Sequence, residues 1–207
     1  MKRLAVLGAS GHGKVVADCA TVSGWEKIVF YDDAWPEYKV NGVWAVVGNT
    51  DTLLNELSQY DGVIVAIGDN ATRLKKMTEL ASKDAKLVNI IHPSAVMSRY
   101  VTLGIGSVVM PKAVINVDAV LGNSCIINTG ATIDHDCSLG DGVHVSPGAN
   151  IAGGVVIGNC AWLGIGSSVR QLVNIGEHTV VGAGAVVVND IEAHTVVTGV
   201  PAKQAVE

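Results

Sequence analysis

The sequence predicts two architectures in one chain: an α/β domain over residues 1–90 and a parallel β-solenoid over residues 91–207. Two observations carry this prediction. Apolar strands alternate with helical patterns in the first ninety residues, whereas an aliphatic residue recurs every six positions from residue 91 onward. Charge follows the same division, because residues 1–90 hold 10 Lys or Arg and 11 Asp or Glu, against 4 and 8 in residues 91–207.

Composition restricts the function classes. The net charge is −5 and no run of like charges occurs, so a nucleic-acid groove and an anionic membrane surface are both disfavoured. No apolar stretch approaches the roughly 20 residues that span a bilayer, and the apolar run Leu4–Leu7 is too short for a secretion signal. The four cysteines show no Cys-x-x-Cys spacing. We therefore expect a cytoplasmic protein without membrane insertion or nucleic-acid partners.

The first domain is predicted to be Rossmann-like. Strands that alternate with helices form a parallel sheet, and ligands bind at the carboxyl ends of its strands. The predicted strands are Lys2–Leu7, Ile28–Tyr31, Asp61–Ile67 and Lys86–Ile90, and the predicted helices cover about residues 14–23 and 71–82.

Glycines follow the first strand in the order Gly8-x-x-Gly11-x-Gly13. The segment is not a P-loop, because Val15 stands where a Ser or Thr would hold Mg²⁺. It remains a strand–loop–helix junction whose N–H groups bind phosphate well. Asp32 and Asp33 end the second strand, where a ribose-binding acid is expected. A nucleotide or nucleotide-sugar pocket is favoured over a plain turn with solvated acids.

The second domain is a six-residue repeat. From Ile91 to Val187, seventeen positions in steps of six are all aliphatic, and the residue four positions after each, ending at Ile191, is small or β-branched. Such units bury their apolar side chains only when stacked. Three units make an 18-residue triangular coil, and glycines spaced by 18 mark one corner, where we expect them to supply a turn conformation. They are Gly104, Gly122, Gly140, Gly158 and Gly176.

This frame resembles the hexapeptide-repeat acyltransferases, whose fold is a left-handed parallel β-helix. The whole chain is similar to bacterial sugar acetyltransferases that join a Rossmann-like domain to such a helix, namely UDP-4-amino-sugar N-acetyltransferases of glycan biosynthesis and sialic acid O-acetyltransferase relatives. The resemblance implies acetyl-CoA as co-substrate, a UDP-amino sugar as acceptor, a homotrimer, and no metal. The matching motifs are Gly8–Gly13, Asp32-Asp33, Ala66–Asn70, Ile91–Ala95 and Gly199–Lys203.

The most informative polar departure from the repeat is Asp134-His135-Asp136. Acyl transfer to an amine needs a base that titrates near neutral pH, which suits histidine, and a flanking carboxylate orients the ring. The resemblance implies that His135 removes a proton from the 4-amino group of the sugar. It places Asp136 as the paired acid, with Asp134 as the alternative.

Other roles follow from the resemblance and from the repeat. His144 matches a residue that contacts acetyl-CoA, Gly153 is the expected backbone donor to the oxyanion, and Asn128 is expected to orient substrate. The coenzyme is expected to lie along glycine-rich turns spaced by 18 residues. Its predicted contacts are Gly164, Ile165, Gly182, Ala183 and Lys203.

In the first domain the resemblance places the UDP moiety of the substrate. The expected contacts are Ser10, Gly11 and His12 in the glycine loop, Asp32 and Asp33 at the uracil–ribose part, and Gly68 nearby.

Three alternatives remain open. The same histidine would serve O-acetylation of sialic acid or a related sugar. A zinc enzyme of the γ-carbonic anhydrase type would need three histidines, drawn here from His135, His144 and His178. A solenoid without catalytic activity would leave His135 without a chemical role.

Overall fold

The computed structural model describes residues 1–205 and divides into two compact units, Met1–Pro93 and a second that begins at Ser94. The predicted fold class is confirmed: an α/β domain precedes a left-handed parallel β-helix. Within the described residues, every helix is too short or too polar to cross a membrane.

The first unit is built on a five-stranded sheet in the order β3-β4-β2-β1-β5, parallel except for β3. The chain moves to one side of β1 and then to the other, so the strand order reverses beside β1, and ligands bind at such a point. The elements are β1 Arg3–Leu7, α1 Gly11–Val22, β2 Lys27–Tyr31, β3 Val40–Asn41, β4 Trp44–Gly48, α2 Thr50–Glu56, a 3₁₀ turn Leu57–Gln59, β5 Gly62–Val65, α3 Asn70–Ala81 and β6 Ile90–Ile91.

Sequence reasoning missed β3, β4 and α2 in this unit. The two-residue turn Gly42-Val43 joins β3 to β4 in a tight hairpin, and Gly42 has φ +66. The predicted strand Lys86–Ile90 is wrong. The segment contacts β5 at one bridge, Leu87 with Val63, where the Val63 N–H donates to the Lys86 carbonyl and the Val88 N–H donates to the Val63 carbonyl. Ile90 belongs to the separate strand β6.

The second unit stacks two-residue strands into three parallel sheets. Up to Val186–Val187, the strands pair with strands 18 residues away, as Ile115 does with Ile133 and Ile133 with Ile151. The strands β7–β24 are Val96–Met97, Thr102–Leu103, Val108–Val109, Val114–Ile115, Val120–Leu121, Ile126–Ile127, Thr132–Ile133, Ser138–Leu139, His144–Val145, Asn150–Ile151, Val156–Ile157, Trp162–Leu163, Ser168–Val169, Asn174–Ile175, Val180–Val181, Val186–Val187, Val196–Thr198 and Lys203–Gln204.

The six-residue frame fills the core as predicted over most of its length, with exceptions at its start, where Ile91 is exposed, and at its end. Ile133 and Cys137, the large and the small residue of one unit, are both fully buried. The frame is wrong beyond Val187, because Ile191 pairs with Ile175, 16 residues earlier instead of 18. Asp190 makes the shorter coil possible: its Oδ1 accepts the Asn174 N–H at 2.8 Å, in place of a backbone carbonyl.

Residues 196–205 fold back over the last coil. Val196–Thr198 pairs with Val180–Val181 on one side and with antiparallel Lys203–Gln204 on the other. The Gly199 carbonyl accepts the N–H of Val186, and the Ala202 N–H donates to the Val186 carbonyl at 2.7 Å. The tail therefore covers backbone groups of two of the three sheets.

Glycine is required at the corner positions for a different reason from the one predicted. Gly122 does not have a left-handed φ. A Cβ atom there would lie 2.7 Å from the Asp141 nitrogen and the Gly140 carbonyl carbon of the next coil. Glycine is required because the coils approach closely, while the left-handed conformation falls two residues later, as at Ser124 with φ +56.

We predict that Gly122→Ala destabilises the second unit by about 1–3 kcal/mol, because the added methyl group forces two coils apart. The matched control is Gly148→Asn. Gly148 has φ +66 and open space where a Cβ would lie, and asparagine tolerates that conformation. Chemical unfolding followed by circular dichroism measures both variants. Equal losses of unfolding free energy would contradict the role given to coil stacking.

Candidate active site

The acid–histidine–acid segment forms an outward turn of the β-helix. Ile133 and Cys137 point into the core, so the three residues between them are displayed at the surface. Asp136 has φ +60, a conformation that aspartate adopts more readily than most residues. The side chains of His135 and Asp136 are 57% and 65% exposed. The repeat thus holds a polar triplet on a rigid corner.

Asp136 contacts the ring of His135: its Oδ2 lies 2.7 Å from Nδ1. This contact decides the choice between the two acids that the sequence left open. A carboxylate at Nδ1 favours a proton on that nitrogen and leaves Nε2 free to accept one. The Asp136 hydrogen bond, and next the charge of Asp134, raise the pKa of His135 and make the neutral ring a stronger base.

Asp134 holds the main chain of this turn. Its Oδ1 accepts the backbone N–H of His135 at 2.8 Å and the side-chain amide of Asn116 at 2.9 Å. The bond from His135, followed by that from Asn116, lowers the pKa of Asp134. Asn116 precedes Asp134 by one 18-residue coil, a spacing by which sequence reasoning could have found it.

Gly153 lies one coil after His135, against its ring. A Cβ atom on Gly153 would come 2.6 Å from Nε2 and Cε1 of the imidazole. The next amide, that of Gly154, donates to the His135 carbonyl at 2.9 Å. The N–H of Gly153 has no acceptor among residues 1–205, so it remains able to bind an anionic oxygen.

A cavity of about 380 Å³ opens beside the imidazole. Its walls come from three successive turns of one corner of the β-helix. They are formed by the polar triplet, by Ala152, Gly153 and Gly154, and by Gln171 and Leu172. His135, Asp136 and Gly153 are thus the predicted catalytic residues that the structure brings together.

His144 lies on a different sheet, in the strand His144–Val145, and is only 9% exposed. Its ring stacks on Trp162 with centroids 5.7 Å apart and planes 5° from parallel. The Asn128 side-chain nitrogen lies 3.2 Å from Nε2 of His144, and the Asn128 oxygen accepts the Thr129 N–H. Since an amide nitrogen only donates, Nε2 accepts and the proton of His144 sits on Nδ1.

In this geometry Asn128 contacts His144, not the turn Asp134–Asp136. Trp162 in turn donates its indole N–H to the Ser146 hydroxyl at 2.8 Å, which fixes the plane on which His144 stacks. Sequence reasoning missed Trp162 and Ser146. Trp162 follows His144 by 18 residues and pairs with it in the sheet, so the coil spacing would have found it.

The predicted coenzyme track lies on successive turns of a second corner. Ile165 is 62% exposed and Ala183 is exposed one coil later. Gly164 packs against the next coil, because a Cβ atom on it would lie 2.7 Å from the Gly182 carbonyl carbon. The exposed backbone of this corner therefore lies two residues after Gly164 and Gly182. At Gly166 and Gly184 φ is positive, and no atom lies within 4 Å of where a Cβ would be.

Lys203, the last predicted coenzyme contact, is exposed in the tail strand Lys203–Gln204. It lies on the segment that covers the final coil.

The first unit has its own cavity of about 270 Å³ at the carboxyl ends of β1, β2 and β5. Ser10, Asp32 and Asp33 line it together with Gly8, Thr72 and Lys76. Gly11 is exposed at the start of α1, with open space around its Cα. The pocket lies where the strand order predicts a ligand.

Asp32 holds the glycine loop in place. Its Oδ2 accepts the Ala9 N–H at 2.6 Å and its Oδ1 accepts the Ala34 N–H at 2.9 Å. A carboxylate that the sequence suggested for ribose binding is therefore engaged with the main chain of its own unit.

Asp33 is likewise engaged by its surroundings. Its Oδ1 accepts the Thr50 N–H at 2.9 Å, and its Oδ2 lies 3.0 Å from Nζ of Lys76. Burial raises the pKa of Asp33, but the hydrogen bonds from Thr50 and Lys76 outweigh it and lower the pKa overall. Lys76, which sequence reasoning missed, brings a positive charge to the pocket rim.

His12 is a neutral group of the glycine loop. Burial, and next the charge of Arg73, lower its pKa to about 4, so the ring carries no charge at pH 7. Arg73 is fully buried and donates to the carbonyls of Ile67 and Gly68 at 3.0 and 3.1 Å. The backbone around Gly68 is thus held by a guanidinium group.

The three histidines that a zinc site would use have separate surroundings. His135 contacts Asp136, His144 stacks on Trp162, and His178 stacks on His194 with centroids 5.1 Å apart. Across residues 1–205, no three His, Cys, Asp or Glu side chains are grouped so that they could hold a metal ion.

Comparison with known proteins gives matches for both units. Residues 3–80 match the family described as PglD N-terminal domain, and residues 118–153 match bacterial transferase hexapeptide (six repeats). UDP-N-acetylbacillosamine N-acetyltransferase of Bacillus subtilis (strain 168) is 33% identical over 111 residues, which are 53% of this chain and 51% of that protein. The chain thus matches about half the length of this curated relative.

Two solved structures are similar over nearly the whole chain. The acetyltransferase domain of PglB from Neisseria gonorrhoeae FA1090, in complex with acetyl coenzyme A, is 42% identical, with a TM-score of 0.94 and 99% of each chain covered. PerB from Caulobacter crescentus, in complex with CoA and GDP-perosamine, is 40% identical, with a TM-score of 0.94 and coverage of 99% of this chain and 98% of that one.

We predict that Asn128→Asp moves the ring proton of His144 from Nδ1 to Nε2. The carboxylate that replaces the amide can only accept a hydrogen bond, so the ring must donate from Nε2. Imidazole ¹⁵N chemical shifts measure the tautomer at a pH where His144 is neutral. The His135 signals are the internal control and should not change, and the same His144 tautomer in both proteins would contradict the assigned contact.

Proposed function

Because the chain belongs to the hexapeptide-repeat sugar acetyltransferases that carry a PglD-type N-terminal domain, we propose that it transfers acetyl groups from acetyl-CoA to a nucleotide-linked amino sugar. The observation that carries the proposal is the His135 imidazole, bound at Nδ1 by Asp136 and bordering an open cavity. The acceptor we propose is the 4-amino group of a UDP-4-amino-4,6-dideoxy sugar used in bacterial glycan biosynthesis.

The proposed reaction is a direct transfer in a ternary complex. Nε2 of His135 takes the proton that the amine loses as its nitrogen bonds to the thioester carbonyl carbon. The C–S bond then breaks with its electron pair on sulfur, and the proton held by His135 neutralises the coenzyme A thiolate. Asp136 stabilises the charged ring meanwhile, and the Gly153 N–H donates to the oxyanion.

The donor and acceptor take different parts of the chain in this proposal. Acetyl-CoA is bound by His144 and along the corner that displays Ile165 and Ala183, with the Lys203 ammonium as a partner for phosphate. That corner supports the proposal because glycines leave its backbone open to a pantetheine arm.

The nucleotide is assigned to the cavity of the first unit, against the turn Ser10–His12 and near Gly68. This assignment is supported by the position of the cavity beside β1, where the strand order reverses. UDP is proposed because the curated relative is named for a UDP-sugar, whereas the PerB complex contains GDP-perosamine. Asp32 and Asp33 line the cavity and are assigned to the uracil–ribose part, while their carboxylates also accept hydrogen bonds from the main chain.

The homotrimer and the cytoplasmic location stay predictions. Twelve charged side chains among residues 91–207 suit an extensive interface between copies. The four cysteines, all buried and free, suit a reducing compartment.

The first test follows thiol release from acetyl-CoA with a UDP-4-amino-4,6-dideoxy sugar, GDP-perosamine and sialic acid as acceptors. We expect turnover with the UDP-amino sugar and a loss of about 10²–10⁴-fold in His135→Ala. His178→Ala, which removes an exposed histidine from another corner, is the control and should keep the wild-type rate. Turnover with sialic acid alone would replace N- by O-acetylation, and no thiol release with any acceptor would overturn the proposal.

The pH profile provides a second prediction. The neutral ring of His135 is the active form, so kcat/KM rises with pH through its pKa, which the contact with Asp136 holds above the ordinary 6.5. Asp136→Asn removes the largest cause of this elevation and should move the acidic limb to lower pH, with a lower plateau. Asp134→Asn should move the limb the same way by less, and an unmoved limb in Asp136→Asn would contradict the assigned pair.

A further inference from the structure

Leu172 has an unusual backbone conformation for its residue type. The left-handed turn position of the β-helix is filled elsewhere by glycine or by short or polar residues, as at Asp118, Ser124 and Lys112. Leu172 has φ +61 there, and the residue is 75% exposed. A bulky aliphatic residue at positive φ is a true outlier, and such outliers concentrate at functional sites.

The side chain of Leu172 faces the catalytic turn. Its Cδ2 lies 2.7 Å from where a Cβ atom of Gly154 would be, so the isobutyl group lies against that glycine. The ring of His135 lies against the neighbouring Gly153 in the same way. The backbone of Gly153-Gly154 therefore lies between the His135 imidazole on one side and the Leu172 side chain on the other.

The structure of the proposed acceptor indicates which of its groups would lie near Leu172. In a 4-amino hexose the ring carbon next to the amine-bearing C4 is C5, which carries C6. When Nε2 of His135 is within reach of the amine, C6 is one of the two nearest substituents. C6 is a methyl group in a 6-deoxy sugar and a hydroxymethyl group otherwise. An aliphatic wall stabilises the methyl group but leaves a hydroxyl without a partner.

We propose that Leu172 is a specificity-determining residue that selects 6-deoxy amino sugars by packing against their C6 methyl group. The inference rests on the proposed function and adds to it the residue that recognises the deoxygenated carbon. Burial of one methyl group, together with exclusion of one hydroxyl, corresponds to a preference of about 10- to 100-fold in kcat/KM.

The experiment compares kcat/KM for two UDP-linked acceptors, a 4-amino-4,6-dideoxy sugar and the 4-amino-4-deoxy sugar that keeps its 6-hydroxyl. Wild type should prefer the 6-deoxy acceptor by about 10- to 100-fold. Leu172→Asn should bring the ratio close to one, chiefly by losing rate with the 6-deoxy sugar, while Leu172→Met, which keeps an apolar side chain, should retain most of the preference.

The matched control is Lys112→Asn, which places the same residue type at another left-handed turn position. It should leave the acceptor ratio unchanged. Asparagine tolerates positive φ, so Leu172→Asn should unfold no more easily than wild type, and a loss of preference then reports recognition instead of misfolding.

The outcomes separate this inference from the function on which it rests. Equal rates with both sugars in wild type, or an unchanged preference in Leu172→Asn, would overturn the role of Leu172 and leave the acetyltransferase standing. Absence of turnover with either amino sugar would overturn the proposed function and the inference with it.

Discussion

The close stacking of coils, with residues 18 apart in contact, is the constraint on which the second unit depends. It places Gly153 against His135, Asn116 against Asp134 and Trp162 against His144. None of these pairs is near in sequence, yet each is fixed once the coil length is fixed. The residues of the candidate site therefore need no long loops to hold them, because hydrogen bonds between neighbouring coils already do so.

Much of the second unit could be predicted because the repeat is regular, and the errors there concern its last coil and the reason for its corner glycines. Ile191 was assigned an inward small position, but the Asp190 side chain replaces a backbone acceptor and shortens the coil by two residues. Gly122 was identified as a corner residue, but the reason, a close backbone in the next coil, lies in three dimensions. A glycine required by its backbone conformation and a glycine required by close packing cannot be told apart from the sequence.

The sequence pointed to candidate site residues but not to the contacts that those residues make. His135 stood out because two acids flank it, whereas only coordinates could assign Asp136 to the ring and Asp134 to the backbone. In the first unit, the Asp32 carboxylate proved to be part of the scaffold, since its geometry is set by main-chain N–H groups from two loops. The residue type indicates which chemistry a side chain can perform, but its hydrogen-bond partners determine its role, as they do for Asp136 and Asp134.

The tail that folds over the last coil has a consequence for the behaviour of the molecule in concentrated solution. A stack of parallel strands ends in a row of unpaired N–H and C=O groups, which is a template for another chain and a seed for fibre growth. Here Gly199, Ala202 and the strand Lys203–Gln204 engage those groups at Val186 and Val196–Thr198. Residues of the same chain thus pair the exposed strand edge of this β-helix, and Lys203 lies in the covering strand, which disfavours pairing with another copy.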